Sequence, residues 1–88
     1  MNLSKNRMAE VFGVDRSTLF AWIRRGCPCI DATKPGLAAR LSFREVLFWR
    51  KAHLARHRWP SESIDEMEAA VRQRLKVLKQ GDAHGRHR

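Results

Sequence analysis

Apolar residues recur at three- and four-residue spacing in four stretches of the chain, and each stretch is bounded by residues that start or stop helices. Met8, Val11 and Phe12 share one face of a helix predicted over residues 5–12. Ser4 is its N-cap, Leu3 is placed to staple onto Met8, and Gly13 can take the left-handed conformation that ends it. Val14 closes the turn. Asp15 caps a second helix that buries Leu19, Trp22 and Ile23 and turns Arg16, Ser17, Phe20, Ala21 and Arg24 outward; Gly26 ends it and Pro28 forbids its continuation.

Residues 29–41, with Pro35-Gly36 in their middle, read as a loop or short two-stranded hairpin that carries Lys34 at its tip and returns Arg40 to the body. Ser42-Phe43-Arg44-Glu45 fits a capping box for a third helix reaching about Arg58. Its apolar surface is Phe43, Val46, Leu47, Trp49 and Leu54, and Trp59-Pro60 breaks it. Ser63-Ile64-Asp65-Glu66 is a second capping box, opening a helix to about Gln80 with Gly81 as its stop. Ile64, Met67, Val71 and Leu78 follow a roughly heptad seam flanked by Leu75, which predicts a dimer interface. The tail, residues 81–88, is expected to be disordered.

Two short helices about a tight turn, followed by a hairpin, describe a winged helix-turn-helix. In such a unit the second helix enters the major groove while the first crosses the backbone. The expected fold is therefore mainly α: residues 1–59 as a winged helix-turn-helix with a small β-hairpin wing, and residues 60–80 as a C-terminal dimerisation helix.

Charge sharpens this picture. The 88 residues carry a formal +9, and residues 1–59 hold twelve Lys/Arg against four acids, whereas residues 60–88 hold six against five. A positive field confined to the first two-thirds attracts polyanions, so double-stranded DNA is the expected partner. The predicted contacts are Lys5, Arg7, Arg16, Ser17, Thr18, Phe20, Ala21, Arg24, Arg25, Lys34 and Arg40; the cluster Arg50, Lys51, Arg56 and Arg58 fits a solvated helix face as well as a DNA flank. The longest strongly apolar run, Val46 to Trp49, is far short of a membrane span, and the start MNLSKNRMAE has no apolar secretory stretch. A cytoplasmic setting is expected.

Other chemistry is weakly represented. Cys27 and Cys29 with His53 and His57 make up a Cys₂His₂ set, but Cys-x-Cys spacing is tight for zinc and buried cysteine behaves as a small hydrophobe, so no metal or cofactor is expected. Trp22 and Trp49 lie on apolar helical faces, which favours packing over base stacking, while Trp59 sits at a helix break. There is no Gly-rich loop ending in Gly-Lys-Ser/Thr and no nucleophile with an evident base, so catalysis is not expected.

The motif Ala9-Glu10-Val11-Phe12-Gly13-Val14, then Ser17-Thr18-Leu19, Trp22, Gly26 and Pro28, resembles the N-terminal DNA-binding domain of the lambda-type phage small terminase subunit. Ser42 through Ala52 resembles that family's third helix, with Val46 and Trp49 at its valine and tryptophan. The resemblance covers roughly residues 3–58. It implies a dimer that recognises viral DNA for packaging and recruits the large terminase subunit, an ATPase-nuclease. It also places Ser17, Thr18, Phe20 and Ala21 on the reading helix and Lys34 on the wing. Phe20 and Ala21 depart from the family's polar residues and suit contact with thymine methyls or a different site preference. The same core pattern resembles MerR-like regulators and phage excisionases, which would act on promoters or recombination sites. An adaptor whose basic surface binds an acidic protein is the reading from another class.

Overall fold

The computed structural model describes residues 2–30 and 40–85, the last five by their backbone alone. In chain order these form β1 (Asn2–Ser4), α1 (Lys5–Phe12), α2 (Arg16–Arg24), β2 (Arg40–Ser42), α3 (Phe43–Arg56) and α4 (Ser61–Gly85). The described chain is mainly helical with one small antiparallel sheet.

Local chemistry sets the helix ends. Ser4 Oγ accepts from the Arg7 amide at 3.3 Å, Asp15 Oδ1 from the Thr18 amide at 2.8 Å, and Ser42 Oγ from the Glu45 amide at 3.4 Å, so all three N-caps act as the sequence predicts. At the other ends a single device recurs. The Val14 amide donates to the Ala9 carbonyl while the Gly13 amide donates to Glu10, with Gly13 at φ 69°. Cys27 and Gly26 repeat the pattern onto Trp22 and Ile23, and Trp59 and Arg58 repeat it onto Leu54 and Ala55. Each is a Schellman closure, in which the residue just beyond the helix turns left-handed to satisfy the final carbonyls.

The described sheet lies beside the segment read as a loop or hairpin. β1 pairs with β2 in the register Asn2↔Ser42, Leu3↔Leu41, Ser4↔Arg40, and Arg40 also exchanges two backbone hydrogen bonds with Ile30 at 2.7 and 2.9 Å. β2 is thus flanked on one side by the N-terminal strand and on the other by an isolated bridge that closes the base of the 31–39 segment. That segment, with Lys34, lies outside the described residues. β1 escaped the sequence reading because three residues show no alternation and their partner lies far along the chain.

Met8, Val11, Leu19, Leu41, Val46 and Val71 are almost completely buried, and Phe12, Trp22, Phe43 and Leu47 pack around them. Each such side chain contributes about 1.5–3 kcal/mol of apolar burial. Phe12 meets Trp22 edge-on at 5.8 Å between ring centroids and Phe43 at 6.1 Å, so one aromatic cluster ties α1, α2 and α3 together.

The fourth helix requires corrections. It starts at Ser61, before the Ser63 box, because the Pro60 carbonyl already accepts the Ile64 amide at 3.1 Å. It also continues through Gly81 to Gly85, five residues into the stretch expected to be disordered. One glycine costs a helix interior only about 1 kcal/mol, too little to stop a helix already twenty residues long. The seam predicted to face a second chain packs in part within this one, with Met67, Leu75 and Leu78 only partly buried. Val71 is buried in the core, Met67, Leu75 and Leu78 pack against it, and Ile64 is buried, with α4 lying on α1 and α3. Glu68 ties α4 to α3 by accepting from Lys51 Nζ at 2.6 Å, and it also accepts from Arg72 Nε at 2.9 Å. These donors hold its carboxyl below the usual range.

Candidate nucleic-acid interface

The outward face of α2 begins at its cap. The Thr18 hydroxyl and amide both hold the Asp15 carboxyl below its ordinary value, so Thr18 serves the helix start and is only half-exposed. Arg16 and Ser17 are fully exposed beside it. Arg16, Phe20 and Arg24 recur every four residues and therefore share one stripe, with the terminal pair about 12 Å apart along the axis.

Phe20 organises the cations around it. Lys5 Nζ lies 5.1 Å from its ring centroid and Arg16 Cζ 5.5 Å, so an ammonium from the first turn of α1 and a guanidinium from the first turn of α2 gather at one ring. Cation–π attraction at exposed sites is worth about 0.5–1 kcal/mol, enough to bias both side chains toward a shared surface. The β1–β2 register sets Arg40 across from Ser4, hence beside Lys5 in the chain path, and its side chain is exposed. Ala21 is half-exposed one position beyond Phe20.

Other predicted contacts are placed elsewhere. Arg7 pairs with Glu10 at 3.6 Å along α1. Arg25, at the C-cap of α2, lines a second basic region with Arg50, His53 and His57 from α3. In that region Arg50 Cζ sits 4.5 Å from the Trp22 ring centroid, and Trp22, Trp49, His53 and His57 form a ladder with successive centroids 6.1, 5.5 and 4.4 Å apart. Burial lowers the Arg50 guanidinium from its ordinary value. Trp22 and Trp49 are thus packing residues, as their helical positions predict.

Two features escaped sequence reasoning. Arg50, His53 and His57 share a face of α3 at three- and four-residue spacing, a signal divided in the sequence reading between a solvated cation cluster and a zinc set. Phe48 was also passed over: it is 76% exposed although its neighbours Val46 and Leu47 are buried. Four consecutive apolar residues cannot all face inward on one helix, and Phe48 is the one left in solvent.

Cys27 is buried, and that burial, reinforced by Cys29, pushes its thiol up to about 11, away from the thiolate that ligates metal. Among the described residues no three His, Cys, Asp or Glu side chains come together as a metal site needs, and no described helix is long and apolar enough to cross a membrane. In comparisons with known proteins, neither a family model nor a curated protein matches this chain.

Proposed function

We propose that the chain is a winged helix-turn-helix module that binds duplex DNA with α2 in the major groove, Arg16 and Arg24 at the groove's phosphates, and Ser17, Phe20 and Ala21 toward base edges. The observation that carries this reading is the gathering of Lys5 and Arg16 on Phe20, on the same helical stripe as Arg24. A groove about 12 Å wide accommodates a helix, and the spacing of the two arginines fits its span. Lys5 from α1 and Arg40 from β2 supply flanking backbone contacts, which fix register without reading sequence. Phe20 and Ala21 offer apolar surface to thymine methyls.

Within this reading, the resemblance stated from the sequence supports recognition of viral DNA for packaging alongside a large ATPase-nuclease subunit. A MerR-like or excisionase-like regulator would use the same α2 face, and a neighbouring ATPase-nuclease or integrase gene separates the two. A dimer through α4 would use what α1 and α3 leave partly exposed of the seam, Met67, Leu75 and Leu78.

The test is titration of labelled duplex across a salt series. Each phosphate contact contributes about −0.9 to the slope of log affinity against log salt, so Arg16→Gln/Arg24→Gln is expected to weaken binding and flatten the slope by about 2. A double variant that binds with the parent's affinity and slope, or a parent chain that binds no duplex at low salt, overturns the reading.

A further inference from the structure

The C-terminal end of α2 and the last turns of α3 enclose a cleft of about 560 Å3 lined by Arg25, Arg50, His53, Leu54, His57 and Trp59. Among the described residues no carboxylate lines it. Its cationic and titratable groups are held on an aromatic base continuous with the core: Arg50 lies over Trp22, His53 stacks on Trp49 at 5.5 Å with the rings 18° apart, and the two imidazoles stand 4.4 Å apart. Such anchoring leaves little side-chain freedom to lose when a ligand arrives. Trp59 forms a further wall, fixed by the hydrogen bond its amide donates to the Leu54 carbonyl and by the left-handed Arg58 before it.

The charges acting on His53 are His57, Arg50 and Arg56 from α3 and Arg25 from α2, all cationic or able to become so, and α4 adds no charged group to the lining. Desolvation first, and those neighbours next, hold His53 below the ordinary imidazole range and so disfavour its imidazolium in the free chain. A tight set of donors with no acceptor charge among the described residues calls for an anion. Arg25 follows directly on α2, so the cleft opens beside the end of the helix proposed to lie in the groove.

We propose that this cleft takes a backbone phosphate of the same duplex that α2 reads, and that His53 takes up a proton from solvent as the phosphate enters. This rests on the DNA reading above and adds to it a second backbone contact with a pH dependence. The sign follows from linkage. The phosphate favours imidazolium, the complex therefore binds more protons than its free components, and affinity rises as the pH falls, by up to tenfold per unit while the free and bound states differ by one proton.

The experiment follows the imidazole resonances of the histidine-labelled full chain through a pH titration, alone, with a duplex of about 20 base pairs and with inorganic phosphate, alongside duplex affinity at about pH 8 and about pH 6. His84 and His87, far along the sequence, give separate signals. The expected result is a His53 midpoint raised by the duplex, with affinity improved severalfold at the lower pH, and the pH dependence lost in His53→Gln while the Arg16 and Arg24 salt effect persists. His57→Gln tests the pair without disturbing the stack on Trp49. If the duplex binds through Arg16 and Arg24 while the His53 midpoint and the pH dependence stay unchanged, this inference fails and the DNA reading stands. If no duplex binds, both fail. A midpoint raised by inorganic phosphate but not by the duplex also overturns the inference, since it marks a free-anion site.

Discussion

Single residues in this chain carry the link between folding and the proposed contact. Phe20 is the clearest: on a face otherwise exposed, its half-buried ring gathers Lys5 and Arg16 from two helices, so an apolar residue sets where two cations stand. Arg58 shows the opposite relation, a charged side chain placed by backbone geometry. Its φ of 62° lies in the left-handed region that closes α3, where an L-residue carries about 1–2 kcal/mol of strain. Arg58→Gly is therefore expected to hold or raise the thermal midpoint, whereas Arg58→Val lowers stability by more than about 1 kcal/mol, because β-branching worsens that strain. Equal losses in both variants, followed by circular dichroism melting, would mean that the Arg58 side chain rather than its backbone stabilises the turn.

At the level of elements, three successive helices end by the same left-handed closure, and the first sets the geometry of the α1–α2 pair. Gly13 is bound to it twice over. Its φ is 69°, and a Cβ there would stand 2.9 Å from Arg74 Cζ, whose guanidinium donates to the Val11 carbonyl at 3.5 Å. Gly13→Ala is expected to cost about 1–2 kcal/mol, mostly from backbone strain since the Arg74 tip can yield, and to lower the melting midpoint by several degrees. An unchanged midpoint would show that the turn relaxes to another conformation. The caps and closures were legible in the sequence because each depends on residues within four or five positions: the α1 bounds and the Asp15 and Gly26 limits of α2 come directly from them. The β1–β2 pairing was not, since it joins residues nearly forty positions apart. α4 shows a further limit. Its heptad spacing identifies an apolar face, but periodicity does not say whether another chain or α1 and α3 will cover it.

For the whole molecule, the division is between a core, in which an aromatic cluster joins α1, α2 and α3 and Val71 brings in α4, and a basic surface concentrated in the first 59 residues. The site was partly legible. Arg16, Ser17 and Arg24 were read as outward from helical spacing alone and are exposed. The diversion of Thr18 into a cap and the meeting of Arg25 with the α3 histidines depend on three-dimensional neighbours that spacing does not encode. The central claim is that duplex DNA lies against the stripe Arg16, Phe20 and Arg24, flanked by Lys5 and Arg40. Its most direct measurement is the mapping of backbone amide shifts in the labelled chain as duplex is added. The account predicts the largest changes over residues 15–25, with further changes at Lys5 and Arg40 and little on the outer face of α4. Changes concentrated on α4, or spread without preference over the surface, would contradict it.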